Sequence, residues 1–221
     1  NMKLLKLHTF FFLLFSVSLT FGQTSKIYKE IDSLIATNSM IDAMTALNKL
    51  KENCAKDTVD AEYWLRYSKA NYTFYKYEAA KAGINKALKL SPSNAKYHFE
   101  QGLLYNKISE TDSALAPLET DTSLDPSKGE YFYWKGIVNQ QLKNNAAAEQ
   151  DYTKALDNKF ETAEMYNNFA ILLIENQKPE KALEMINKAV ALNDKYPQAL
   201  SVRSKINMFL LNFDAACADR K

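Results

Sequence analysis

Few side chains in this sequence have the type and spacing that catalysis or metal binding requires. His98 is the one histidine beyond the first eight residues, and it leads an apolar pattern of helical spacing. It could act as a general base, but at that position we expect a histidine packed between helices. No glycine-rich phosphate loop, Gly-x-Ser-x-Gly or His-Glu-x-x-His sequence occurs. The sequence therefore predicts no catalytic residue, no cofactor and no enzyme.

The two cysteines and a cluster of acids offer the other candidate chemistry. Cys54 and Cys217 could form a disulfide in an oxidising compartment, but the architecture inferred below puts them near opposite ends, so we expect two free thiols. Cys217 follows Ala216 in a helical pattern, where a small packing residue is expected and a reactive thiol is the alternative. The run "ETDTSLD", residues 119–125, holds three acids but lacks the glycine and oxygen spacing of a calcium loop. We expect a solvated helix end there and no metal site.

Charge and the first residues restrict the class of partner and the location. The 28 basic and 26 acidic residues are evenly mixed, without the basic patch that nucleic-acid binding needs. Residues 1–22 combine a short basic start, an apolar run of 13 residues and small residues at Thr20 and Gly22. This pattern predicts a secretory signal peptide cleaved before Gln23, with an uncleaved anchor as the alternative. We expect an exported protein, periplasmic or extracellular, without a membrane span after cleavage.

The elements that position these residues repeat along the chain. Pro92 and Pro126 each follow an apolar-periodic run, and they are 34 residues apart. The chain divides at this interval, which indicates a stacked array of similar units. The blocks are 61–94, 95–128, 129–162, 163–196 and a partial block 197–221.

Each block carries two apolar patterns of helical spacing, which predicts a pair of helices. One position in the first helix is always small, which lets two crossing helices approach closely. The residues there are Ser68, Gly102, Gly136 and Ala170. Pro92 and Pro126 are expected just after second helices, and Pro179 at the start of one.

The blocks closely resemble the tetratricopeptide repeat family, whose pattern of large residues, Leu-Gly, Tyr, Ala, aromatic, Ala and Pro extends over 34 residues. "AEYWLRYSKANY…YEAAKAGINKALKLSPSN" and "AEMYNNFAILLIENQKPEKALEMINKAVALN" fit it well. The resemblance implies an all-α fold, a right-handed α-solenoid of stacked antiparallel helix pairs. Pro117, Asp121 and Phe160 depart from the pattern in the middle of the array. Residues 23–60 are expected to form a degenerate helical hairpin that caps the array over 61–221.

In this family the first helices line a concave surface that binds protein or peptide partners. Leu65, Phe99 and Tyr133 stand where some members hold a carboxylate clamp, so that clamp is not recognisable here. An apolar row rimmed by amides remains, and the alternative is that these side chains cover one another. The partner-binding residues that the resemblance implies are Leu65, Lys69, Tyr72, Phe99, Leu103, Asn106, Tyr133, Ile137, Gln140, Asn167, Ile171 and Ile174.

The resulting hypothesis is a non-catalytic scaffold or adaptor of the cell envelope that binds a protein or peptide. A structural spacer that assembles with copies of itself is one alternative, and the recognition part of a larger envelope enzyme complex is another. The second helix of the last block is short, ending at Lys221. We expect the natural sequence to continue there with a capping helix.

Overall fold

The computed structural model describes residues 24–53 and 60–219. Within them the chain forms twelve helices and no strand. The expected signal peptide and Cys54 lie outside the described residues. The helices are α1 (24–36), α2 (Met40–Asn53), α3 (Ala61–Thr73), α4 (Tyr77–Leu90), α5 (Ala95–Lys107), α6 (Thr111–Leu124), α7 (Gly129–Gln141), α8 (Asn145–Asp157), α9 (Ala163–Glu175), α10 (Pro179–Leu192), α11 (Pro197–Phe209) and α12 (Phe213–Ala218).

The helices form two compact units, one up to Ser93 and one from Asn94. In the first unit α3 packs on α4 and also contacts α2. In the second unit the pairs α5/α6, α7/α8, α9/α10 and α11/α12 each pack internally, and each second helix contacts the first helix of the next pair. This arrangement is an α-solenoid of stacked helix pairs, as the sequence predicts.

Small residues allow the two helices of a pair to approach closely. A Cβ atom on Gly102 would lie 2.6 Å from Cγ of Leu118, and one on Gly136 would lie 3.0 Å from the ring of Tyr152. In other pairs a serine occupies this position, and Ser68 Oγ donates a hydrogen bond of 2.7 Å to the carbonyl of Ala80. The predicted need for a small side chain at the crossing is therefore confirmed.

Three prolines lie at helix ends, as the sequence predicts. Pro92 and Pro126 lie just beyond α4 and α6, and Pro179 is the first residue of α10. Between α8 and α9, where Phe160 takes the place of a proline, Lys159 adopts a left-handed conformation with φ of 61°. The chain thus turns here through a left-handed residue, as it also does at turns within the pairs, for example at Tyr75 and Ser109.

Helix α6 is continuous over Thr111–Leu124, but two of its buried residues do not suit a helix interior. Pro117 lies inside the helix and removes one backbone donor. Asp121 is 0% exposed, at the position where the other pairs have Ala87, Ala155 or Ala189. Neither carboxylate oxygen of Asp121 has a hydrogen-bond partner among the described residues. The expectation that residues 119–125 form a solvated helix end is wrong for Asp121, because it faces the neighbouring helices.

The outermost helices are less regular. Ile31 and Leu50 form the core between α1 and α2, with Ile27 and Leu47 packed against it, as the hairpin prediction requires. At the other end, α12 has six residues. Ala216 is buried there, but Cys217 is exposed and free. The expected packing role of Cys217 is therefore wrong, since its side chain lies on the outer side of this short helix.

Candidate functional site

The first helices of the second unit form a row. Helix α7 contacts both α5 and α9, and α9 contacts α11. We call the set of implied binding residues on α5, α7 and α9 the first-helix face. It consists of Phe99, Leu103, Asn106, Tyr133, Ile137, Gln140, Asn167, Ile171 and Ile174.

The aromatic members of the first-helix face are buried in the repeats. Phe99 is 6% exposed, and its ring centroid lies 4.6 Å from that of Tyr131. Tyr133 is 7% exposed and packs against Phe160 at 5.2 Å and Tyr152 at 6.1 Å. These rings therefore hold neighbouring helices together and offer little surface to a partner.

The aliphatic members form the accessible part of the face. Leu103, Ile137 and Ile171 occupy the same position in successive repeats, and each is half-buried. Ile174, one helical turn after Ile171, is 37% exposed. These four side chains give an apolar stripe that runs across α5, α7 and α9.

Hydrogen bonds between α7 and α9 border the stripe. The amide of Asn168 donates to the hydroxyl of Tyr133 at 3.0 Å, and the amide of Gln140 donates to the carboxylate of Glu175 at 3.3 Å. Burial raises the pKa of Tyr133, and the charge of Glu164 raises it further. Glu175 therefore lies beside the apolar stripe, and Glu164, two turns before Ile171, lies on the same side of α9.

Two asparagines of the face have an unpaired acceptor. Asn167 is 4% exposed, and its amide nitrogen lies 3.4 Å from Oδ1 of Asn168. The Oδ1 atoms of Asn106 and Asn167 are buried without a hydrogen-bond partner among the described residues. Buried acceptors are normally paired, so these two enclosed atoms are exceptions inside the repeats, and neither presents surface to a partner.

Three implied residues lie in the first unit. Leu65 is buried, whereas Lys69 and Tyr72 are half-buried. The ring of Tyr72 lies 6.0 Å from that of Tyr77, and burial raises the pKa of Tyr72. Lys69 and Tyr72 thus keep some accessible surface, but Leu65 belongs to the core of its repeat.

A cleft of about 440 Å³ lies in the first unit between α1 and the start of α3. Its central charge, Arg66, bonds Asp32 at 2.8 Å and also pairs with Glu62. Arg66 stacks on the ring of Tyr28 at 4.2 Å. These groups pair with one another, so the cleft is held together by its own ion pairs.

Neither a metal centre nor a catalytic group is evident in the described part of the chain. No cluster of three metal-ligating side chains occurs there. Burial raises the pKa of Asp121 to about 8, which is the range of a general base. Asp121 is fully enclosed, however, and a substrate has no access to it.

Sequence reasoning missed Glu164, Glu175 and Asn168 as members of this surface. They flank positions that the repeat pattern marks as groove-facing, but they are outside that pattern. A charge count by helix would have found the acids: α9 contains two glutamates and no basic residue.

A comparison with family models gives matches to the tetratricopeptide repeat over residues 129–162 and 163–196. These ranges comprise the helix pairs α7/α8 and α9/α10. The chain therefore contains two tetratricopeptide repeats, at residues 129–162 and 163–196. Its described helix pairs have the stacking that such repeats produce.

Two curated proteins are similar in sequence to this repeat protein. The DnaJ homolog subfamily C member 7 homolog of Schizosaccharomyces pombe is 25% identical over 195 residues, which cover 80% of this chain and 41% of that protein. The type IV pilus assembly protein PilF of Pseudomonas aeruginosa is 25% identical over 114 residues, covering 52% of this chain and 45% of PilF. The chain matches less than half the length of either relative.

Solved structures share the fold at low identity. PilW, a type IV pilus biogenesis factor, superposes with a TM-score of 0.76 at 16% identity, covering 91% of this chain and 90% of PilW. Pseudomonas aeruginosa PilF gives 0.73 at 17%, covering 88% and 90%. YrrB, described as a repeat protein with an unusual peptide-binding site, gives 0.64 at 18%, covering 77% and 88%. Identities this low establish the fold alone.

The lengths and hydropathy of the helices bear on membrane insertion. Among the described residues no helix combines the length and the apolar character that crossing a bilayer demands.

Proposed function

We propose that this repeat protein is a non-catalytic scaffold that binds a protein or peptide segment along the first-helix face. The observation that carries the proposal is the apolar stripe of Leu103, Ile137, Ile171 and Ile174 on three successive first helices. A partner that covers partly exposed aliphatic side chains gains hydrophobic stabilisation. The buried rings of Phe99 and Tyr133 fix the helices that present the stripe.

We further propose that the protein acts in the cell envelope as an adaptor. Two observations support this location: the signal-peptide pattern of residues 1–22 and the similarity to PilF, a type IV pilus assembly protein, and PilW, a type IV pilus biogenesis factor. The similarity to YrrB, with its peptide-binding site, supports a peptide partner. Lys69 and Tyr72 of the first unit are candidates for further contacts with such a partner.

The test is capture of a partner from envelope extract by immobilised protein. Ile171→Gln combined with Ile174→Gln removes the most accessible part of the stripe and keeps residues that form helices well. Leu192→Gln is the matched control, because Leu192 is 56% exposed at the end of a second helix. Capture should be lost with the double variant and kept with the control. Equal capture by both, with unchanged helical content, would assign binding to another surface.

Self-assembly is a second candidate, because one specific surface favours it. Phe209, Leu211 and Phe213 are 72%, 71% and 61% exposed around the turn between α11 and α12. Exposed apolar patches of this kind mark association surfaces. Sedimentation at several protein concentrations tests this candidate, since self-association gives a mass that rises with concentration. A constant monomer mass would exclude it.

A further inference from the structure

We propose that the segment bound at α7 and α9 is basic as well as apolar, with Lys or Arg side chains on either side of its aliphatic residues. This inference rests on the proposed function, because it specifies the partner of the same face. It goes further by fixing the sign of the partner's charge. Two observations carry it: the charges of α7 and α9, and the position of Glu175.

The charges on α7 and α9 do not balance. The two helices contain Glu130, Glu164 and Glu175, and their one basic residue is Lys135. Lys135 forms an ion pair with α8, since its Nζ lies 3.0 Å from a carboxylate oxygen of Asp151. The three glutamates are all exposed. The row of first helices is therefore acidic in its middle section.

Two of these glutamates lie beside the apolar stripe. The negative charge of Glu164 contributes to the raised pKa of both Tyr133 and Tyr196, after the larger effect of burial. Glu175 contributes in the same way to the raised pKa of Tyr152. The geometry agrees: a carboxylate oxygen of Glu175 lies 3.3 Å from the amide nitrogen of Gln140, and Glu164 precedes Ile171 by two turns of α9, on the same side of the helix. A basic side chain of a bound segment would therefore meet both carboxylates.

The position of Glu175 is unfavourable for the isolated helix. It is the last residue of α9, where the helix dipole disfavours a negative charge, and the last turn contains no basic residue. Its hydrogen bond from the neutral amide of Gln140, at 3.3 Å, leaves the charge without a counter-ion among the described residues. A cation from a partner would provide one.

Basic residues on the neighbouring first helices, α5 and α11, bound the acidic section. Lys107 ends α5, and Lys205 lies on α11 in the position that Ile171 occupies on α9. Packed helices lie about 8–10 Å apart, and an extended polyproline-type chain advances about 3.1 Å per residue. Apolar residues spaced about three apart in such a segment would therefore reach Ile137 and Ile171 in turn.

The test is selection of binders from a library of displayed random dodecapeptides, followed by affinity measurements on the selected peptides made synthetically. We expect selected peptides to combine aliphatic residues about three apart with Lys or Arg. Their affinity should fall about tenfold with Glu164→Gln combined with Glu175→Gln, and it should weaken as salt is raised. Glu184→Gln is the matched control on α10, where an exposed glutamate lies on a second helix and should have no effect.

The possible failures of the two proposals give different results. Neutral or acidic peptides that are still lost with Ile171→Gln and Ile174→Gln would overturn the basic preference and leave the proposed function standing. Basic peptides whose affinity is unchanged in the double glutamate variant would also overturn the preference. If selection yields no peptide that distinguishes the isoleucine variant from the native protein, both proposals are wrong.

Discussion

The side-chain amide of Asn168 donates a hydrogen bond to the hydroxyl of Tyr133 at 3.0 Å, which joins α9 to α7. The ring of Tyr133 also lies 5.2 Å from that of Phe160, on the side of the repeat core. Tyr133 thus serves chiefly to hold adjacent repeats together. Substitutions at this residue change the stability of the fold as well as any binding. Its role is therefore measured by the free energy of unfolding.

Two substitutions of Tyr133 should destabilise the protein by different amounts. Tyr133→Phe removes the hydrogen bond and should lower the free energy of unfolding by about 1 kcal/mol. Tyr133→Ala also removes the buried ring and should lower it by about 3–5 kcal/mol. Urea denaturation measures both, and Tyr75→Phe is the control because Tyr75 is 67% exposed. A fully stable Tyr133→Ala variant would mean that the ring is not part of the core.

Asp121 should make stability fall as the pH rises. Burial raises the pKa of its carboxyl from 3.8 to about 8, so the folded state retains a proton that the unfolded state loses. The free energy of unfolding should therefore decrease between about pH 4 and pH 8, by up to about 1.4 kcal/mol per pH unit. Asp121→Ala should remove this decrease.

Denaturation of both proteins across this pH range measures the effect. Asp125→Asn is the control, because Asp125 ends the same helix and its pKa is lowered by a hydrogen bond from Ser127. Its replacement should leave the decrease intact. The same pH profile for Asp121→Ala and the native protein would show that Asp121 ionises freely when folded.

Helix α6 should exchange its amide hydrogens faster than the corresponding helix α10. Pro117 removes a backbone donor inside α6, and Asp121 is buried there without a hydrogen-bond partner among the described residues. Local opening is easier where such defects occur in a stacked array. Hydrogen exchange followed by mass spectrometry should show weaker protection over residues 111–123 than over 179–191. Equal protection of the two segments would contradict this prediction.

Gly102 and Gly136, two buried glycines at helix crossings, should differ in their response to alanine. The new methyl group would lie 2.6 Å from Cγ of Leu118 at Gly102, but 3.0 Å from the ring of Tyr152 at Gly136. Overpacking costs about 1–3 kcal/mol, and alanine recovers about 1 kcal/mol of helix propensity. Gly102→Ala should therefore lower the melting temperature, whereas Gly136→Ala should change it little. The reverse order would show that the crossing at Gly102 can widen.

Much of the fold could be predicted from the sequence because each repeat is specified by residues close together in the chain. Small residues such as Gly102 mark helix crossings, and Pro92 and Pro126 mark helix ends. Burial of Asp121 was harder to predict, because three acids in seven residues look like a solvated segment. Its position in the repeat, which elsewhere holds alanine, was the better guide.

The candidate site could be predicted only in part. The repeat position identifies the side of the helix on which Phe99 and Tyr133 lie, but it does not give their depth. That depth depends on packing against Tyr131 and Phe160, which are contributed by other helices. For the same reason Glu175 was missed, since its place beside Gln140 follows from how α7 and α9 pack.

The most direct measurement of partner binding on the first-helix face is site-specific photo-crosslinking in cells that produce the protein naturally. Benzoylphenylalanine is placed at Ile174, which is 37% exposed on α9, or at Leu192, which is 56% exposed on α10. Our account predicts a discrete protein adduct from position 174 and none from position 192. Adducts from position 192 alone, or equal adducts from both positions, would contradict it.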